Sequence, residues 1–389
     1  MPHTTHPCPV ERITNAPFRH FFGYYEKTPW DAAGSRLLGM RVTFQHRPPT
    51  ARDTAQIGFI DTTDGNRWRP LAETAAWCWQ QSCMLQWLGS DPAHTIIFNT
   101  SEDDHFVAVI LDVETGAHSV LPHPVYAVDN QGRYAMSLNF ARLDRTRPGY
   151  GYKGVDDPTV GQNAPDDDGV YHIDLRTGKH KLVISLAQLA ALRPHDTMRD
   201  AEHWVNHLQC SRSGQRFAML HRWRQPGQRG WYTRLLTADP QGNDIAILAD
   251  EGYVSHYDWR GDDAILAWAR HNDERHYHLY TDGGEHVRSV GAGVLTVDGH
   301  CSYSPDGRWI LTDTYPDPET SARTLILYRP DTYQRIDIGQ FYAPPELNGE
   351  IRCDLHPRWN RDGTAICIDS AHEETRQMYV IDVAEVVNQ

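Results

Sequence analysis

The chain of 389 residues contains no apolar stretch approaching the roughly 18 residues that a membrane-spanning helix requires, so no membrane association is expected. Its first residues, MPHTTHPCPVERIT, show no basic segment followed by an apolar one, which removes a secretory leader and makes the cytoplasm the expected compartment. Basic residues are also in deficit: 37 Lys and Arg against 51 Asp and Glu give a formal net charge of −14. A protein that releases counterions from a phosphate backbone needs the opposite balance, so no nucleic-acid partner is expected. Cysteine is sparse, with seven residues and no C-x-x-C pair, which excludes a disulfide framework and a zinc knuckle and leaves buried reduced thiols.

What is present suits a packed interior: 40% hydrophobic residues and twelve Trp. A chain of this length would ordinarily divide into several domains, but repeat architectures exceed that prior as one unit. Two patterns recur in alternation. The first is a β-rich run ending in a polar turn, in seven copies: IGFIDTTDG, VILDVETG, VYHIDLRTG, RLLTADPQG, HLYTDGG, LILYRPDT and MYVIDV. The second is a strand, a turn of the S-P-D-G type and another strand, the turn residues being those that tolerate positive φ. It also has seven copies: PWDAAGSRLLGM, WLGSDPAHTIIF, AVDNQGRYAMSL, CSRSGQRFAML, DWRGDDAILAWA, YSPDGRWILTDT and WNRDGTAICIDS.

Together the patterns supply three strands, and a connecting fourth makes each stretch of about 50 residues a four-stranded blade. The expectation is an all-β fold, a single seven-bladed β-propeller over residues 1–389 with TolB/WD40-like repeats. Blades fall near 23–65, 80–116, 124–178, 203–242, 253–284, 298–332 and 352–383. Either residues 1–22 or the C-terminal strand could complete a shared blade and close the ring. Segments 141–168 and 183–202 exceed the blade length. They read as exposed loops or as a lid over one channel mouth, the lid being favoured by Arg147, Tyr150 and Tyr152 in RPGYGY.

Aligning the turns exposes a register. Six positions before the third turn residue stand His207, His256, His300 and His356 in the last four blades, with Lys27 at that count in the first. Equivalent positions lie on one ring about a propeller axis, so the imidazoles should converge in the channel. A lone His is commonly structural, but four in register point to a function, as neutral metal ligands or as proton acceptors near neutral pH. Near them in sequence lie Arg222 and Arg224 in LHRWR, Arg270 in AWARH, Arg358 in HPRW, and Tyr24 and Tyr25 in GYYEK. A group of Arg within an acidic protein suggests an anionic ligand, although any single Arg could pair with a nearby carboxylate such as Asp354.

The stretches NHLQCS, YVSHYDW, DGHCSYSPDG and DLHPRWNRDG, in this order, resemble the oligogalacturonate lyases, seven-bladed propellers that degrade pectin fragments in the cytoplasm. The likeness is best over residues 200–385 and poor at the N-terminus, as in a divergent member. It implies β-elimination on a uronate-containing oligosaccharide, with His256 as the base and His300 and His356 as ligands of manganese or another divalent metal. Where the family carries two further ligands, a Gln and a His, this chain has Cys353 and Arg358. Either the metal is held differently, with His207 or Gln209 as substitutes, or Arg358 neutralises the substrate carboxylate in its place. The expected catalytic group is thus His256, His207 and Arg358. The expected substrate-binding group is Tyr25, Lys27, Arg147, Tyr150, Gln209, Arg222, Arg224 and Arg270. A glycoside hydrolase on the same scaffold, or a non-catalytic TolB-like binding module, remains the alternative.

Overall fold

The computed structural model of the protein describes residues 3–284 and 286–388. Six four-stranded sheets and one five-stranded sheet form a seven-bladed β-propeller. Blades 1 to 7 span 19–74, 86–121, 127–185, 202–249, 254–290, 302–342 and 358–382, each running antiparallel from the innermost strand outward. The S-P-D-G turns join the first two strands of their blades. In blade 6, Asp306 accepts from the Ser304 hydroxyl at 2.6 Å and from the Arg308 N–H at 3.0 Å. The glycines closing these turns, Gly34, Gly132, Gly214, Gly307 and Gly363, all have φ between 67° and 78°, where a Cβ would be strained.

Alternating apolar residues of each blade pack on the next. Leu266, Trp268 and Tyr277 of blade 5, for instance, interlock with Ile310, Ile326 and Tyr328 of blade 6. The N-terminus closes the ring. Val10–Arg12 pairs antiparallel with Gln377–Asp382 as the outermost strand of blade 7, and His3–Thr5 adds a fifth, parallel strand to blade 6. One segment thereby straps the last two blades, so the chain end that looked ambiguous in sequence is the clasp.

Neither insertion is a free loop. The first opens with the helix Phe140–Thr146, capped by Asn139, and lies between the second and third strands of blade 3. The buried Arg142 guanidinium donates to the carbonyls of His203, Gln162 and Asn163 and to the Thr159 hydroxyl, which fastens the insertion to blade 4. The second carries the helix Leu186–Ala191, started by a Ser185/Gln188 capping box, with Leu186 and Leu189 in the same apolar cluster as Phe140. Tyr152, expected to face a ligand, instead stacks on Phe140 at 4.3 Å and is part of the core. No helix among the described residues is long and apolar enough to cross a membrane.

Candidate functional site

Each of the four register histidines sits where the innermost strand's ladder is broken. In blades 4 and 5 the register shifts between Asn206 and Gln209 and between Val254 and Tyr257. In blades 6 and 7 the pairing starts only after the histidine, at Ser302 and Arg358. His207 and His356 also adopt positive φ, 51° and 41°. A bulge re-aims a side chain, and here the re-aimed imidazoles meet in the channel. Ring centroids of His256 and His300 stand 4.2 Å apart, and those of His300 and His356 4.5 Å. Tyr24 packs edge-on against His207 at 5.0 Å and His356 at 4.9 Å, and Tyr25 lies 5.3–5.8 Å from His207, His256 and His300.

A belt of phenols fixes this floor. Tyr126 accepts the His207 N–H at 2.9 Å, Tyr257 donates to the His207 carbonyl, and Tyr25 donates to the Tyr257 carbonyl at 2.8 Å. The floor separates two cavities. On the histidine side a cavity of about 380 Å³ is lined by Tyr24, Arg147, Tyr150, His207, Arg222, Trp231, Tyr253, His256, Asp298 and Tyr315 among others. On the turn side a cavity of about 570 Å³ is lined by Tyr25, Glu26, Lys27, Gln209, Asp258, Arg358 and the S-P-D-G turns.

The residues grouped in sequence are therefore divided. Arg147, Tyr150, Arg222, His207 and His256 share one mouth, whereas Lys27 and Gln209 line the other, with Tyr25 between. Lys27 is ion-paired with Glu26, and Gln209 donates to Asp258 at 2.7 Å. Arg358 is buried, pairs with Asp369 at 2.8 Å, and donates to the carbonyls of Gly23 and Tyr24. All its reach is spent on bracing blade 1 against blade 7. Arg224 pairs with Glu202 at 3.4 Å and lies over the Trp204 ring, and Arg270 lines neither cavity, standing across the ladder from Arg275. Cys353 belongs to a small apolar cluster with Leu347 and Ala371, and burial pushes its thiol up to about 11.

Carboxylates that the sequence did not link to the histidines stand beside them. Asp298 lies 2.9 Å from His256 Nδ1, which places the imidazole proton there and leaves Nε2 as a lone pair. Burial lowers the His256 pKa, Asp298 offsetting part of the effect, so the ring is neutral at pH 7. Asp313 holds His300 in the same way at 2.9 Å and also accepts its backbone N–H at 2.7 Å. His207 has no hydrogen-bond partner on either ring nitrogen among the described residues, and burial with neighbouring cationic groups holds its pKa well below the usual value. Asp354 forms ion pairs with Arg352 at 2.5 Å and Arg323 at 2.7 Å. These guanidinia overcome its burial and keep it ionised. A legible signal existed: Asp298 and Asp354 each stand two residues before a register histidine, in D-x-H.

His300, Asp354 and His356 bring one nitrogen or oxygen each to within 4.8 Å of one another. Nε2 of both histidines is buried without a hydrogen-bond partner among the described residues, and Asp313 orients one ring from behind, as ligating imidazoles are commonly oriented. This mixed N/O set fits a divalent first-row ion. Asp354 supplies a donor that Cys353 and Arg358 do not.

Arg147 and Arg222 face the same cavity with no carboxylate partner among the described residues, each over the Trp231 ring at 4.6 and 5.6 Å. Burial and the neighbouring Arg147 bring the Arg222 pKa down to about 10, so it stays a cation at pH 7. A buried and a half-buried guanidinium, neither with a counter-ion among the described residues, together suit an anion.

No protein-family model and no curated protein sequence matches this chain. Among solved structures it is similar to an oligogalacturonate lyase in complex with manganese, at TM-score 0.69 and 12% identity, covering 98% of this chain and 95% of that one. It is similar to an oligogalacturonate lyase from Vibrio parahaemolyticus at TM-score 0.67 and 12% identity, covering 97% and 94%. The β-propeller domain of the Trilobed protease from Pyrococcus furiosus matches at TM-score 0.54 and 11% identity, covering 95% of each. At such identities the likeness shows the shared β-propeller fold.

Proposed function

We propose that the protein is a carbon–oxygen lyase that cleaves a short uronate-containing oligosaccharide by β-elimination at the histidine mouth. The observation that carries this reading is the pairing, in one cavity, of an Asp-oriented neutral imidazole with two guanidinia that lack counter-ions among the described residues. Removing the proton α to a carboxylate demands a base and a group that stabilises the charge developing on the carboxylate. His256 offers Nε2 as the base, and Asp298 stabilises the imidazolium that results. Arg222 and Arg147 bind and neutralise the uronate carboxylate, while Trp231 and the half-exposed Tyr315 provide faces for sugar rings.

His300, Asp354 and His356 are the residues that would hold a divalent ion such as manganese, which when bound would supply Lewis-acid stabilisation of developing negative charge. Hydrolysis is less well served. A glycosidase needs a carboxylic acid and a second carboxylate free to act, whereas Asp298 and Asp313 are each engaged by a histidine and Asp354 by two arginines. The guanidinia of Arg147 and Arg222, with no carboxylate partner among the described residues, support an anionic oligosaccharide as the partner.

The test is to incubate the protein with a panel of uronate oligomers, oligogalacturonides first, with manganese or with chelator, and to follow the ultraviolet absorbance of a 4,5-unsaturated uronide. Product is expected, with chelator lowering the rate. Release of reducing ends without absorbance would overturn elimination in favour of hydrolysis, and no turnover of any uronate oligomer would overturn the enzyme reading.

A further inference from the structure

Elimination also needs a proton for the oxygen that leaves, and a donor distinct from His256 can supply it in step with C5–H abstraction, without the imidazolium having to turn from C5 to the C4 oxygen. Tyr150 stands in the same cavity on the insertion of blade 3. Its hydroxyl oxygen accepts a hydrogen bond from Arg352 Nη2 at 2.6 Å, and Arg352 is held in turn by Asp354 at 2.5 Å. With its oxygen engaged as an acceptor, the phenol keeps its own proton, which goes to no acceptor among the described residues. Arg147 lies over the ring at 4.5 Å, so guanidinia approach the phenol on its edge and on its face. Burial alone would make the phenol a weaker acid, but Arg352 and Arg147 outweigh it and bring Tyr150 below the ordinary phenol range. A structural tyrosine has no need of two cations. A proton donor does, because it must carry negative charge once the proton has gone.

We propose that Tyr150 is a catalytic residue, the general acid that protonates the departing C4 oxygen; this rests on the lyase reading above. The C5–H bond breaks as its proton passes to His256 Nε2, and its electron pair forms the C4=C5 double bond. The C4–O bond breaks with its pair on oxygen, and that oxygen takes the Tyr150 proton. The enzyme is left with imidazolium beside Asp298 and phenolate between Arg352 and Arg147. A net proton transfer from His256 to Tyr150 through water restores both, so no further reactant is required.

The experiment compares wild type, Tyr150→Phe and His256→Ala on two uronides, one whose leaving group is an ordinary sugar alcohol and one bearing 4-nitrophenoxide at C4, which departs without protonation. Tyr150→Phe is expected to lower kcat on the sugar-leaving substrate by about 10²–10³-fold and to approach wild type on the aryl one, while His256→Ala loses both. Equal losses of Tyr150→Phe on the two substrates, or no loss on the first, would overturn the role of Tyr150 and leave the lyase reading standing. Absence of unsaturated product from wild type on both would overturn that reading and this inference with it. A Tyr150→Phe protein with unchanged thermal unfolding shows that the readout is not a folding defect.

Discussion

The two mouths of the channel are built from the same repeated strands yet treat charge in opposite ways. On the turn side, most charged groups are answered within the protein: Lys27 by Glu26, Asp129 by Arg133, Arg358 by Asp369, and Asp258 by Gln209 and the Tyr303 N–H, while Arg212 and Arg361 donate to backbone carbonyls. On the histidine side, among the described residues, Arg147 and Arg222 have no carboxylate and His207 has no hydrogen-bond partner on either ring nitrogen. Burying an unanswered cation is unfavourable, so a fold retains one where something outside the protein answers it. The paired mouth stabilises the ring; the unpaired one has the character of a binding site. Counting charges near a channel does not separate them, and pairing does.

The contrast breaks most visibly in the rates. His256→Ala is expected to lower kcat by about 10³-fold, whereas Gln209→Ala across the floor should leave it within about twofold; steady-state kinetics on the same uronide compares them. Comparable losses in the two variants would erase the distinction between the mouths.

Stability should respond in the reverse order. Arg358→Met leaves Asp369 as an uncompensated buried charge and is expected to cost about 3–5 kcal/mol in denaturant unfolding, much of it regained in the Arg358→Met/Asp369→Leu double variant. Activity lost without any loss of stability would instead make Arg358 a substrate-neutralising group.

Arg222→Met sharpens the same point from the other side. It should lower kcat/KM by about 10²-fold while leaving thermal unfolding unchanged or raised, because the cation removed had no partner to strand.

The smallest expected effect is on pH dependence. The buried histidines His207, His221, His256 and His356 all have folded pKa values below the ordinary 6.5, burial being the leading cause. The unfolded chain therefore binds more protons than the folded one as pH falls through 6.5. Their contribution to stability is full above that pH and declines below it. Chemical unfolding across this range should show it, and the acid limb of kcat/KM should lie below 6.5 for a base with the lowered pKa of His256.

The histidine convergence was legible because one register is repeated in consecutive blades, and a repeated unit places equivalent residues on one ring. The partners were not. Asp313 reaches His300 from the adjacent strand, and Asp369 reaches Arg358 from the corresponding position of blade 7, pairings that depend on strand register. Grouping Lys27 and Gln209 with the histidines failed for a related reason: the bulge at His207 turns Gln209 of the same strand toward the opposite mouth, and Lys27 lies beyond the innermost strand of blade 1, ion-paired with Glu26.

The sequence by itself determined seven copies of two alternating patterns, hence the blades and their turns, because strand alternation and turn chemistry are local. Only the tertiary structure decided that Val10–Arg12 closes the ring on blade 7, that Tyr150 meets Arg352, and that Asp354 joins His300 and His356. Those contacts link residues far apart in the chain. They come into being when the ring closes and the channel imposes its own neighbours.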